Sequence, residues 1–238
     1  MDSGQFRNEL KYLCSGEELS VIGARLSVLM ERDAHAGADG AYEVRSIYFD
    51  DPAGSAAKEN EDGTSPREKW RIRAYNCDPS RISLECKKKD HGLIRKSACA
   101  ISTSELEAFC AGEDGSVSYD AARPLLNRFL VEMKIRRLRP ALIVRYDRTP
   151  FVWSADEIRV TFDRQISTSA ETEDFFRKDM PVRPVLPGGM HLLEVKFNTF
   201  LPPHLARAMQ TEDLRQTTFS KYYLSRIYDQ RRRELTWM

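Results

Sequence analysis

Glu68-Lys69-Trp70-Arg71-Ile72-Arg73-Ala74-Tyr75 is followed, after the turn Cys77-Asp78-Pro79-Ser80, by Ile82-Ser83-Leu84-Glu85-Cys86-Lys87-Lys88-Lys89. Successive side chains of a strand point to opposite faces. Read so, Lys69, Arg71 and Arg73 share one face and Trp70, Ile72 and Ala74 the other. In the second segment Ser83, Glu85 and Lys87 lie opposite Ile82, Leu84 and Cys86. Asp90-His91-Gly92 is a second turn, with His91 only a turn residue, and Leu93 to Ile101 is a third strand. Three antiparallel strands with one apolar and one charged face form the middle of the chain.

The same pattern extends outward. Phe6 to Leu13 reads as a strand presenting Arg7, Glu9 and Lys11 on one face. Ser15-Gly16-Glu17-Glu18 has capping-box spacing and opens an amphipathic helix to about Arg32. Tyr42 to Asp50 is a strand, and Asp51 to Pro66 reads as a mobile surface loop with room for one helical turn. Ser102-Thr103-Ser104-Glu105 is a second capping box, for a helix to about Ala111; another helix runs from about Ala121 to Leu138 before Pro140. Strands follow at Ala141 to Thr149 and Glu157 to Asp163, the latter with Arg159, Thr161 and Asp163 on one face. Gln165 to Gly189 reads as an irregular excursion. His191 to Asn198 is the last strand, with Glu194 and Lys196 opposite Leu193, Val195 and Phe197. Helices then begin at Pro202-Pro203 and at Phe219, the second ending near Arg232. No repeat or linker divides the chain, so residues 1–238 are expected to form one α+β domain built on an antiparallel sheet.

Composition excludes several classes. Of 238 residues 41% are hydrophobic and 31% charged, enough apolar content to rule out global disorder. Lys+Arg is 37 and Asp+Glu 36, a balance unlike that of a wholly basic nucleic-acid-binding surface. There is no apolar run of about 18 residues and no apolar segment at the N-terminus, so neither membrane insertion nor secretion is expected. Five cysteines, an odd number without a C-x-x-C, fit reduced thiols in a cytoplasm. H-E-x-x-H, G-x-S-x-G, Walker and G-x-G-x-x-G motifs are all missing.

On any single strand a wet, charged face is ordinary. The set is less so, because the strands carry mostly Arg and Lys while the acidic residues cluster elsewhere in a neutral chain. If the helices cover the apolar faces, the charged faces turn inward and the sheet closes around a charged lumen. Two like charges ~5 Å apart repel by roughly 3 kcal/mol at an effective dielectric of 20. Such a lumen therefore requires interleaved carboxylates, for which Glu9, Glu85 and Glu194 are candidates, and a bound anion. A linear phosphate chain suits both Arg and Lys.

Seven motifs in register carry a resemblance: Arg7-Asn8-Glu9-Leu10-Lys11-Tyr12, Ser46-Ile47-Tyr48-Phe49-Asp50, Arg71-Ile72-Arg73, Leu84-Glu85-Cys86-Lys87, Arg139-Pro140 with Tyr146-Asp147-Arg148-Thr149, Leu193-Glu194-Val195-Lys196 and Phe219-Ser220-Lys221. Together they resemble the VTC domain, the polyphosphate polymerase domain of the vacuolar transporter chaperone family, within the triphosphate tunnel metalloenzymes. The resemblance implies an antiparallel β-barrel tunnel with helices packed outside. It implies metal-dependent transfer of the ATP γ-phosphate to a growing polyphosphate chain, with Mn²⁺ or Mg²⁺ as cofactor. Lys11, Arg71, Arg73, Lys87, Lys96, Arg148, Arg159, Lys196 and Lys221 would contact phosphates. Tyr146, Ser220 and Arg7 would assist substrate binding, and Glu194, with Glu9 or Glu85, would hold the metal. ATP and phosphate or polyphosphate would be the ligands, with no nucleic acid, and a membrane protein is a conceivable recipient of the product.

Two positions depart from the family. Thr218 stands where the eukaryotic polymerase carries a basic residue, and Arg7 stands at the first acidic position of the superfamily's E-x-E-x-K motif. The second departure favours the VTC branch over the triphosphatases. Two other functions stay open: a triphosphatase using Glu9 to activate water, and a non-catalytic polyphosphate binder. Local readings also stay open. Glu194 and Lys196 fit a surface ion pair, and Ser220 fits a plain N-cap. Phe219, Tyr223 and Ile227 read as a core stripe, and Arg231-Arg232-Arg233 as a helix C-terminus or solvated tail.

Overall fold

The computed structural model describes residues 8–33, 36–37, 40–91, 93–154 and 157–236, with the side chains of 114 and 230–236 excepted. Arg7, and the first residues of the expected N-terminal strand, lie outside the described residues. Eight strands form a continuous antiparallel path. In spatial order they are β1 (Asn8–Ser15), β10 (Met190–Phe197), β8 (Ile158–Ser169), β7 (Arg139–Trp153), β3 (Tyr42–Asp50), β4 (Arg67–Tyr75), β5 (Ile82–Asp90) and β6 (Leu93–Ile101). Two short strands extend it: β2 (Glu31–Arg32) on β7 and β9 (Arg183–Pro184) on β8.

The path is strongly curled. Five strands separate β1 from β5 along it, yet Lys87 Nζ on β5 lies 2.8 Å from Glu9 Oε2 on β1. Only a sheet rolled with its charged face inward brings these side chains together.

The outer face is apolar and covered by helices. Ile47, Trp70, Ile72, Leu84 and Cys86 pack against α3 (Thr103–Ala111) and α4 (Pro124–Ile135) through Leu106, Phe109, Phe129 and Met133. On the other flank Cys14, Val160, Phe162, Leu193 and Val195 pack under α1 (Gly16–Leu29) and α5 (Pro203–Met209). Both expected capping boxes are present, Ser15 with Glu18 and Ser102 with Glu105. α1 ends three residues earlier than expected, because Glu31 and Arg32 pair with Phe151 and Val152 of β7.

Two helices lie on the inner face. Ala56 and Ala57 of α2 (Ser55–Glu61) and Tyr222 of α6 (Lys221–Thr236), with Phe219 just before it, pack against Tyr48, Val144, Tyr146 and Leu192. Residues 51–66 are thus not simply a loop. Gly54 turns the chain with φ +69, Asp51 Oδ1 accepts the Ser55 N–H and Asp50 Oδ1 the Ala56 N–H, and two small alanines let the helix approach α6. Among the described side chains of the C-terminal helix the buried members are Tyr222 and Ser225 rather than Tyr223 and Ile227. The 165–189 segment also differs from expectation. Its first residues complete β8, and Arg45, itself buried, donates to the Phe175 and Arg177 carbonyls at 2.9 and 2.6 Å.

Phe129 is fully buried among the rings of Phe49, Trp70 and Phe109. Phe129→Ala is expected to cost about 3–5 kcal/mol, read as a lower urea midpoint at unchanged m. A loss below about 1 kcal/mol would show that α4 does not pack there.

Candidate functional site

The curled sheet encloses a cavity of about 900 Å³ lined by β1, β3, β4, β5, β7, β10, α2 and the start of α6. Eleven cations, Lys11, Arg67, Lys69, Arg71, Arg73, Lys87, Lys89, Lys96, Arg148, Lys196 and Lys221, gather on this inner face with four carboxylates, Glu9, Glu85, Asp163 and Glu194, and Glu61 of α2 also lines the cavity. Alternation on each strand delivers them, and the register stacks them. Lys11 faces Glu194 across β1 and β10, Glu9 faces Lys196, Arg71 faces Glu85, and Arg148 faces Asp163.

Three arrays result. In the first, Glu194 is buried beside Lys221 at 2.8 Å, Arg148 at 3.3 Å, Lys196 at 3.5 Å and Lys11 at 3.7 Å. Asp163, fully buried, takes both Arg148 Nε and Nη2, at 2.6 and 2.7 Å, and Lys221 Nζ at 2.6 Å. In the second, Glu9 accepts Lys87 at 2.8 Å and lies 3.6 Å from Lys196 and 3.9 Å from Lys11. In the third, Glu85 is held by Arg71 and Lys96 at 2.7 Å each, with Arg73 at 3.9 Å. Arg71 also donates to the Tyr48 hydroxyl at 3.0 Å, and Arg73 to the Tyr146 hydroxyl at 3.1 Å.

Electrostatics follow from this crowding. Burial pushes the Glu194, Asp163, Glu9 and Glu85 carboxyls up, but their neighbouring cations outweigh it and hold all four below the ordinary carboxylate range. They are anions at any pH near neutral. Lys69 is the opposite case. Burial and then Lys87, Arg67, Lys11 and Lys89 depress its amine to about 7. Lys87 falls to about 8, from burial and from Lys11 and Lys196 against the opposing pull of Glu9.

Most of the expected site residues meet here. Tyr146 lies beneath Lys221 and Arg148, with ring distances of 4.9 and 5.1 Å. Ser220 Oγ accepts the Tyr223 N–H as an N-cap and also takes a hydrogen bond from Lys69 at 2.9 Å, so the cap faces the cavity. Glu194 and Lys196 are no surface pair. Arg159 is set apart: its guanidinium is drawn to Asp33 and the Tyr42 hydroxyl, both at 2.7 Å, away from the cavity lining. Lys96 reaches the site only through Glu85. Among the described residues Glu85 shares no ion-pair partner with Glu9 or Glu194, so the three candidate ligands do not form one set. No group of three or more His, Cys, Asp or Glu side chains gathers to hold a metal among the described residues. Glu9 and Glu194 do share Lys11 and Lys196, and two hard carboxylates completed by phosphate oxygens suit a Mg²⁺-type ion.

Sequence reasoning passed over Asp163 and Lys69 as site residues, although both stand in step with Arg159 and Arg71 on their strands. It also missed Tyr48 and the Asp50–Tyr222 hydrogen bond that seats α6. A second groove, of about 790 Å³ beside α3, is lined by serines and by two charged residues, Glu105 and Arg123, already paired with one another at 2.9 Å.

The VTC domain profile matches residues 6–227. No curated protein sequence matches the chain significantly. Similar solved structures include a candidate adenylate cyclase of Bacillus halodurans, 17% identical, covering 86% of each chain with a TM-score of 0.47. A candidate adenylyl cyclase of Hippeastrum with a dominant triphosphatase activity is 13% identical over 82% of this chain and 80% of its own, TM-score 0.46. A Pyrococcus horikoshii protein is 12% identical over 95% and 98%, TM-score 0.46.

Replacing Arg71 and Arg73 would, from the strand pattern alone, relieve repulsion and leave the ligand-free protein as stable or more so. The structure reverses this, because both serve buried Glu85, Tyr48 and Tyr146. Arg71→Ala/Arg73→Ala is expected to lower stability by about 3–5 kcal/mol, the range for breaking a buried pair. An unchanged urea midpoint would refute the pairing. Lys69 and Lys87 bind protons more weakly folded than unfolded, so ligand-free stability should rise with pH from about 7 toward 10. Melting temperatures at pH 7, 8 and 9 check this, and Lys69→Gln should flatten the rise.

Proposed function

The chain belongs to the VTC domain family, and we propose that it is a polyphosphate polymerase, moving the γ-phosphate of ATP onto the end of an inorganic phosphate chain. The observation that carries this reading is the excess of cations over carboxylates on the inner face of the sheet. Phosphoryl transfer needs positioning and charge neutralisation more than covalent catalysis. Without ligand the four carboxylates keep the Arg and Lys side chains extended into the cavity. A triphosphate entering it would exchange those partners for phosphate oxygens, with Arg71, Arg73, Arg148 and Lys221 along the donor and Lys11, Lys87 and Lys196 along the chain. Ser220 would donate to a terminal phosphate, and Tyr146 would support Arg73, Arg148 and Lys221 from below. The attacking phosphate oxygen is already ionised near neutral pH, so no histidine or carboxylate base is required.

Glu194 and Glu9 are the residues we assign to a divalent metal, Mn²⁺ or Mg²⁺, which when bound neutralises charge on the transferring phosphates. Asp163 orients Arg148 and Lys221, Glu85 offsets Arg71 and Arg73, and Lys96 supports Glu85. Hydrolysis to free phosphate is disfavoured by the state of Glu9: three lysines hold it far below the pKa a water-activating base needs. The five free cysteines support a reducing compartment. Among the described residues no helix is long and apolar enough to cross a membrane.

The test is purified protein with ATP and Mn²⁺, resolved for ADP, long-chain polyphosphate and free phosphate. Polymer with matching ADP is expected; phosphate without polymer would make the chain a triphosphatase, and binding without turnover a polyphosphate receptor. Glu194→Gln should cut metal-dependent polymer formation at least ~100-fold, the scale of losing a major electrostatic contribution. Near-normal turnover at saturating Mn²⁺ would remove Glu194 from the metal site.

A further inference from the structure

β4 presents Arg67, Lys69, Arg71 and Arg73 at every second position, and all four line the cavity. At ~3.3 Å per residue this row is about 20 Å long, several times what the three phosphoryl groups of a triphosphate need for contact with two neighbouring cations. Its two halves differ. The inner half faces Ser83 and Glu85 across the ladder, whereas the outer half faces Lys87 and Lys89, cation opposite cation. Like charges directly opposite destabilise a sheet. Among the described residues no carboxylate lies within ion-pair distance of Arg67, Lys69 or Lys89; Lys69 donates instead to the neutral oxygens of Asn60 and Ser220, at 2.5 and 2.9 Å. The outer half lies at the end of the cavity where β4 begins and β5 finishes, beside residues 62–66, whose Gly63 and Ser65 line the same cavity.

We propose that Arg67, Lys69 and Lys89 form a second phosphate-binding subsite at this end of the tunnel, which grips the part of a linear inorganic phosphate chain extending beyond the triphosphate and thereby selects long chains. The inference rests on the reading of the cavity as a phosphate-chain site. An unbranched chain without side groups fits an enclosed passage, and a charge on every unit matches a row of cations whatever its register. Among the described residues only the longer-range pull of Glu59 on Arg67 and of Glu9 on Lys89 offsets the crowding of these cations, so occupancy by an anion is favoured by relief of repulsion as well as by attraction. The state of Lys69 agrees. Lys87, Arg67, Lys11 and Lys89 surround its amine. An anion in the subsite favours the charged amine, so chain binding at pH 7–8 takes up a proton there.

The experiment is titration calorimetry with linear phosphates of defined length, from tripolyphosphate upward, on wild type, Arg67→Gln/Lys89→Gln and Lys69→Gln, each confirmed folded by its melting curve. Wild-type affinity is expected to rise with length until the row is spanned. The double variant should lose on the order of tenfold per cation for long chains and less than about threefold for tripolyphosphate. Runs in two buffers of different ionisation heat should show proton uptake with long chains in wild type and clearly less in Lys69→Gln, where only Lys87 is left to take up a proton. Equal loss for short and long chains, or no loss for either, overturns the subsite. So does a single-stranded oligodeoxynucleotide binding with the same length dependence. If wild type binds no phosphate chain, the tunnel reading itself fails; if its length dependence survives in the variants, only the subsite does.

Discussion

Glu194 sits buried within 3.7 Å of four cations, and Asp163 beside it binds two of the same four. Taking one such charge out of water is costly, and removing its partner from a buried pair costs about 3–5 kcal/mol. Every element that contributes to this array is therefore held in place by the others. β1, β7, β8 and β10 supply it in register, and α6 completes it from the C-terminal end through Lys221. A slip of one residue in any of these strands would turn its charges onto the apolar outer side.

The curl of the sheet is the geometric answer to that constraint. Charges from both ends of the strand path neutralise one another only when Glu9 and Lys87 can touch. Rolling the sheet inward leaves an apolar convex surface, which α1, α3, α4 and α5 cover with two separate cores. The third core lies within the curve, where Phe219 and Tyr222 meet Tyr48 and Tyr146, and the Tyr222–Asp50 hydrogen bond fixes the start of α6. Lys11 donates to the Phe219 carbonyl at 2.7 Å, so the segment carrying Ser220 and Lys221 is tied to the first strand as well.

This construction suits chemistry on a highly charged substrate. The cations are oriented before any ligand arrives, by carboxylates whose ionisation neutral pH does not change. A phosphate chain then meets donors already aimed, which keeps the reorganisation needed during reaction small. The same design makes the ligand-free protein sensitive to its own charge, most of all along β4 and β5, where Lys69 and Lys87 hold their protons weakly.

Much of this was legible from strand alternation alone. Period two in β4, β5 and β10 assigned Ile72, Leu84 and Val195 to one side and Arg71, Glu85 and Glu194 to the other, because backbone geometry leaves a strand no other choice. The local hydrogen bonds of Ser15 with Glu18 and Ser102 with Glu105 likewise sit within four residues and are written in the sequence. Partner choice is not local. That Arg148 serves Asp163, that Arg159 turns away to Asp33, and that Glu85 stands apart from Glu194 depend on which strands become neighbours across 15 to 126 residues of chain. The short helix α2 was legible only as room for one turn in a loop for the same reason, since its two buried alanines acquire an apolar face only when α6 packs on them. Residue type and spacing determined which charges face inward; only the curl of the sheet decided which of them meet, because the energy of a buried charge depends on the distance to its partner and not on its place in the chain.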